Sequence, residues 1–186
     1  MKVFLDSEFT GLHQNTTFIS LALVNEYGSV FYAEFTDYDK TQMNEWLQKN
    51  VIDNLIFEKL FSNNTKHFSD IKNNHMLKDT KENIVIALKE WLADYEDIEI
   101  WSDCLAYDWV LFNELFGGAL NIPKNVYYIP FDICTLFKIK GIDPDISRKE
   151  FSGGKDLYFK IFLNEHNCLY DAFVIKKCYE KLMEGR

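Results

Sequence analysis

Asp6 and Glu8 are separated by one residue in Lys2-Val3-Phe4-Leu5-Asp6-Ser7-Glu8-Phe9, an apolar run that reads as a β-strand. Alternate side chains of a strand share a face, so this spacing sets two carboxylates side by side. Adjacent anions repel, and a strand bound for a core gains nothing from them unless a cation lies between. A divalent metal site is the chemistry such a pair could do. The competing reading makes Asp6 the end of the strand and Glu8 a solvated turn residue, and the pair alone favours it.

Two later segments repeat the oddity. Asp108 opens an apolar helix in Ala106-Tyr107-Asp108-Trp109-Val110-Leu111-Phe112, where a carboxylate could merely complement the helix dipole, worth roughly 0.3–1 kcal/mol. Asp103, just upstream, reads as a cap or turn residue. In His166-Asn167-Cys168-Leu169-Tyr170-Asp171-Ala172, a helix would point residues 166 and 171 about 140° apart. They share a site only if His166 precedes the helix, with Asn167 as its cap.

In this order, Asp-x-Glu on a first strand, Asp at a central helix start and His-x4-Asp at a C-terminal helix resemble the DEDD superfamily of 3′-to-5′ exonucleases, in its histidine-containing DEDDh branch. Asp6-Ser7-Glu8-Phe9-Thr10-Gly11-Leu12 looks like the family's D-x-E-x-T-G-L motif, and Asn167 stands where the other branch has Tyr. Ile100-Trp101, Ala106-Tyr107-Asp108 and the His166 to Ala172 segment are most similar to the small bacterial exoribonucleases of the RNase AS type.

The resemblance implies a ribonuclease H-like fold and two divalent cations, Mg²⁺ or Mn²⁺, held by Asp6, Glu8, Asp108 and Asp171. Oxygen donors suit such ions. It implies that Asp6 bridges the metals and that His166 takes a proton from the attacking water. The substrate implied is the 3′ end of a single strand, RNA favoured over DNA, contacted by Thr10, Gly11 and Leu12, with Leu12 as an apolar wedge. A homodimer is implied as well. The aromatic residues are mostly core, with Tyr107, Trp109 and Trp46 as the positions for base stacking.

Other readings stay open: a 3′-to-5′ exodeoxyribonuclease, an endonuclease on the same scaffold, or a nucleic-acid-binding module whose catalysis has lapsed. The spacing of the acids weighs against the endonuclease, and the presence of all four acids and the histidine weighs against the lapsed module. RNA against DNA rests on contacts to the 2′-hydroxyl that no position announces.

The elements that must position these residues are set by periodicity. Segments 17–24 and 29–35 read as two more strands, joined at Asn25-Glu26-Tyr27-Gly28, so the chain opens on an antiparallel three-strand meander. Apolar spacing predicts a helix over 41–60; residues 62–78, rich in Asn, Lys and His, read as a long loop. Asp79 and Glu82 form a capping-box pattern before the amphipathic run Ile84, Ala87, Leu88, Trp91, Leu92. Then come a strand at 97–101, a helix at 107–116 stopped by Gly117-Gly118, an edge strand at 127–133 containing Pro130, an unreadable region at 138–160, and a helix at 169–183. The expected fold class is α/β: one domain over 1–186, a mixed central sheet with the meander and parallel strands, flanked by helices.

Composition narrows the function classes. With 29 acidic and 20 basic residues the net charge is −9, which weakens non-specific attraction to a long phosphate backbone and argues against a duplex-coating protein. It leaves room for an enzyme that grips a strand's end. Asp6 interrupts any N-terminal apolar core and no run approaches the roughly 20 apolar residues of a membrane span, so the expected address is cytoplasmic. Cys104, Cys134, Cys168 and Cys178 lack paired metal-ligand spacing and are expected as reduced core residues. His13, His67 and His75 are expected at the surface, and Lys138, Lys140 and Arg148 on a solvated face. By resemblance Asp132 is a structural acid.

Overall fold

The computed structural model describes residues 1–57, 68–69, 75–153 and 165–184. Its centre is a seven-stranded sheet built around β1 (Lys2–Phe9), which pairs antiparallel with β2 (Phe18–Asn25). β3 (Val30–Phe35) continues antiparallel on β2, completing the expected meander. β4 (Phe68–Ser69) and β5 (His75–Asp79) extend the sheet beyond β3, with β5 parallel to it. On the other flank β6 (Glu99–Ser102) runs parallel to β1, and β7 (Phe131–Asp132) parallel to β6. The spatial order is β4-β5-β3-β2-β1-β6-β7.

Two apolar layers cover this sheet, so its central strands β1, β2 and β3 are hydrophobic on both faces. Val3 and Leu5 of β1 point to one core, with Ile84, Leu88, Trp91 and Leu92 of α2 (Lys81–Ala93) and Leu111, Phe112 and Leu115 of α3 (Ala106–Leu115). Phe4 points to the other, with Ile133 and Phe137 of α4 (Ile133–Ile139) and Leu169, Ala172 and Ile175 of α6 (Cys168–Met183). Each fully buried Leu, Ile or Phe contributes on the order of 1.5–3 kcal/mol of transfer free energy. β1 is clamped between the layers, and its polar end emerges with a fixed alternation.

Several elements differ from expectation. The helix expected over 41–60 is α1 (Glu45–Asn50) flanked by two 3₁₀ turns, Lys40–Gln42 and Ile52–Asn54; Asn44 caps α1, and residues 58–60 lie outside the described ones. The expected loop over 62–78 holds β5, of which Leu77 alone is buried. His75 is half-buried in that strand; His67 lies outside the described residues. The expected edge strand at 127–133 shrinks to Phe131–Asp132 plus an isolated bridge between Val126 and Ile98. Pro130 donates no hydrogen bond there. Thr80, not Asp79, is the N-cap residue of α2; Asp79 accepts from the Thr80 N–H at 2.7 Å and from Asn83 Nδ2 at 2.9 Å.

Within the unreadable 138–160 stretch the structure describes α5 (Arg148–Phe151); residues 154–160 lie outside it. Cys168 and Cys178 are buried as expected, but Cys104 is exposed and Cys134 half-buried. Arg148 belongs to no solvated face: it is ion-paired to Asp103, with Nε 2.9 Å from Oδ2. Asp132 is structural, its carboxylate capping α4 through the N–H groups of Cys134 and Thr135.

Candidate active site

The alternation of β1 carries past its apolar half. Asp6 and Glu8 continue the face of Phe4, while Ser7 continues the face of Leu5. Asp6 pairs with Ala22 and Glu8 with Ser20 of β2, and the register shifts between Glu8 and Phe9. Such an irregularity bends the strand end and re-aims the residues beyond it. Above the acidic face lies the first turn of α6. Asn167 caps that helix, accepting from the N–H groups of Leu169 and Tyr170, and its Nδ2 donates to the Asn54 carbonyl at 2.9 Å. The cap fixes Asp171 one turn in, over the strand.

Carboxylate oxygens of Asp6, Glu8 and Asp171 all lie within 4.8 Å of one another. Among the described residues no Lys or Arg forms an ion pair with any of the three. Three half-buried anions held this close are stable as anions only around a cation. Burial, then Asp171, Asp108 and Glu8, drives the Asp6 carboxyl well above the usual range. Burial and the same two aspartates push Glu8 up to about 8. Asp171 rises to about 7 through burial, against the opposing pull of the His166 backbone N–H. These are hard oxygen donors with no ion-paired base among the described residues, and they fit Mg²⁺ or Mn²⁺.

Asp108 stands apart from this trio. It is buried at the start of α3; Ser7 donates to its Oδ1, and Ser102 Oγ donates to Oδ2 at 2.9 Å. Burial lifts its pKa to about 6, the two hydroxyls pulling the other way. It raises both Asp6 and Glu8, so it belongs to the same electrostatic cluster. Sequence reasoning does not single out Ser7 or Ser102. The only signal for them is position: one alternates with the two acids, the other ends the strand before Asp108.

His166 precedes α6, as sharing a site with Asp171 requires. Its backbone adopts φ +63°, the left-handed region, and its N–H donates to Asp171 Oδ2 at 3.0 Å. The exposed imidazole meets Trp46 edge to face, ring centroids 5.1 Å apart. Anchoring comes from the backbone, leaving the ring nitrogens at the surface.

The residues after Glu8 form a tight loop. Thr10 is buried, its hydroxyl accepting from the Thr17 N–H at 2.9 Å and donating to Gln42. Gly11 N–H donates to Thr16 Oγ1 at 2.9 Å, and a Cβ on Gly11 would come within 2.8 Å of the His13 ring. Leu12 at the tip is 76% exposed. Behind the loop lies a cavity of about 750 Å³ lined by Thr17, Phe18, Phe35, Tyr38, Tyr107 and Val110, among others. Tyr107 stacks on Phe9 at 5.6 Å. Trp109 stacks instead on Phe112 at 5.5 Å, against the core and away from the cavity lining.

Comparison with known proteins agrees with this architecture. The chain is 24% identical to the 3′-5′ exoribonucleases Rv2179c and MT2234.1 of two Mycobacterium tuberculosis strains, over 143 residues, 76% of this chain and 76% of each relative. Its fold matches the RNase domain of the yeast Pop2 protein with TM-score 0.58 at 14% identity, covering 98% of this chain and 76% of that one. Residues 1–183 match the family described as the 3′-5′ exoribonuclease Rv2179c-like domain, and the chain belongs to that family.

Proposed function

We propose that the protein hydrolyses phosphodiester bonds at the 3′ end of single-stranded RNA, with Asp6, Glu8, Asp108 and Asp171 holding two divalent cations and His166 acting as general base. The observation that carries this reading is the convergence of Asp6, Glu8 and Asp171 within 4.8 Å, with His166 bonded through its backbone to the last of them. The chemistry supplied by bound cations is neutralisation of charge on the phosphoryl oxygens and activation of water.

The chain's own residues do the rest. Asp171 holds His166 in place through the backbone N–H, so the imidazole stands free to accept a proton from water. Ser7 and Ser102 orient both oxygens of Asp108. The cavity beside Tyr107 receives a base, and exposed Leu12 wedges against it. Phe18, Phe35, Tyr107, Val110 and Leu111 give that cavity an apolar wall, matching a base better than a phosphate.

End-labelled RNA and DNA of one sequence, single- and double-stranded, digested with Mg²⁺ or Mn²⁺, test the proposal. A ladder of mononucleotide steps from the 3′ end of single-stranded RNA, abolished by chelation, is expected. Efficient cleavage of a circular single strand would overturn it, and preference for DNA would reassign the substrate.

A further inference from the structure

Cys104 and Cys134 lie beside the acidic cluster and take no part in it. Cys104 occupies the turn between β6 and α3, exposed and at φ +51°; Cys134 sits in the first turn of α4. Their sulfurs are 3.7 Å apart. Cys134 Sγ donates to Asp103 Oδ1 at 2.8 Å, and Arg148 Nη2 lies 2.9 Å from the same sulfur and 3.0 Å from the same oxygen. We propose that Cys104 and Cys134 are a reversible oxidation site, closing to an intramolecular disulfide on exposure to a hydroperoxide.

Asp103, Cys104 and Cys134 also group closely enough to hold a metal ion. Arg148 decides against that: its guanidinium already supplies the cation, paired with Asp103 and packed 4.9 Å over the Phe137 ring. A second cation would have to displace it. A disulfide needs no such displacement, because it consumes the two thiols and leaves the Asp103–Arg148 pair intact. The sulfurs must close from 3.7 Å to a bond of about 2.05 Å, within reach of a side-chain rotation at exposed Cys104.

The chemistry balances with hydrogen peroxide as the oxidant. Cys104 gives up its thiol proton to solvent and its sulfur attacks one peroxide oxygen; the O–O bond breaks, the departing hydroxide takes up a proton and leaves as water, and a sulfenic acid remains on Cys104. Cys134 sulfur then attacks that sulfur and passes its proton to Asp103, which it already faces. The S–O bond breaks, and the departing hydroxide takes that proton from Asp103 as a second water, leaving the Asp103–Arg148 pair as it began. Two thiols lose two electrons and one peroxide gains them. Until Cys104 is oxidised, Cys134 rests as a thiol, since burial and then Asp103 push it up to about 12.

The full chain, freed of reductant and treated with hydrogen peroxide, tests this by mass spectrometry of the intact protein and of its non-reduced digest. Expected are a loss of two hydrogens, a peptide joining Cys104 to Cys134, and reversal by dithiothreitol. Cys104→Ser, at an exposed position and with its fold checked by circular dichroism, should give no linked peptide. Oxidation of Cys104 to the sulfinic acid while Cys134 stays alkylatable, or a disulfide joining two chains through Cys104, would overturn the proposal. So would one equivalent of Zn²⁺ bound by the reduced protein and lost in Cys134→Ser.

Discussion

The four acids of the site differ in what each does for the fold, and substitution should separate them. Asp6 is the most strained, held as a half-buried carboxyl beside Asp171, Asp108 and Glu8 with no basic partner among the described residues. Asp6→Asn removes the carboxyl that would have to ionise within that crowd and keeps the shape. Metal-free protein carrying it should melt no lower than wild type at pH 8, while RNA digestion falls by about 10³-fold or more, the equivalent of several kcal/mol of charge stabilisation. Parallel measurement of thermal unfolding and of ladder rates checks this; a lower melting temperature would mean that Asp6 is satisfied by something other than a cation. His166→Gly makes the complementary case. Glycine adopts φ +63° without cost and keeps the N–H bonded to Asp171. Stability should stay within about 1 kcal/mol of wild type, and activity should drop by roughly 10²–10⁴-fold if the imidazole is the base. The acids are legible in the sequence because unpaired carboxylates in apolar runs violate an expectation. Ser7 and Ser102 are not, because a hydroxyl raises no such flag.

At the scale of elements, α6 is the part whose position the site needs most, and its anchor is one side chain. Asn167 caps the helix and ties it to the Asn54 carbonyl, across to the 3₁₀ turn after α1. Losing such a cap costs about 1 kcal/mol, and the second bond adds about 0.5–1.5 kcal/mol. Asn167→Ala should therefore lower stability in urea by about 1–2 kcal/mol and reduce activity, since Asp171 and His166 ride on this turn. Asn167→Asp keeps the cap acceptor and loses only the donor, so it should recover part of both; equal losses in the two variants would place the weight on the Asn54 tether. The meander, α2, α3 and α6 are legible from the sequence because burial writes a clear period. β5 is not: Leu77 is its one buried residue, so polar composition imitates a loop, and pairing with β3 and β4 makes it a strand. α1 is shorter than its apolar spacing predicts because Asn50, Asp53 and Asn54 turn the chain while that spacing persists.

For the molecule as a whole, the site works against the fold unless it is loaded. Asp108, Asp171 and Glu8, raised to about 6, 7 and 8, and Asp6, raised well above the usual carboxylate range, all hold protons in the folded state that an unfolded chain releases near pH 4. The folded state then binds more protons than the unfolded one across roughly pH 5 to 8, and stability falls as pH rises through that window. Groups of opposite sign act elsewhere. Asp39 is held down by donors from Thr41, and at Glu180 burial is outweighed by Lys176 and Lys177; their contributions are lost only as pH falls below the ordinary carboxylate range. Metal-free protein in a chelator should therefore melt several degrees lower at pH 8 than at pH 5.5, as each kcal/mol moves the midpoint by about 2–4 °C at this size. Added Mn²⁺ or Mg²⁺ should stabilise with rising strength as the carboxylates ionise, shrinking or reversing that fall. Asp6→Asn should flatten both curves. Scanning calorimetry across pH, with and without the cation, makes the comparison; a metal-free midpoint that rises from pH 5.5 to 8 would mean that the acids are neutralised from within the chain, and the site would lose its reason to bind metal.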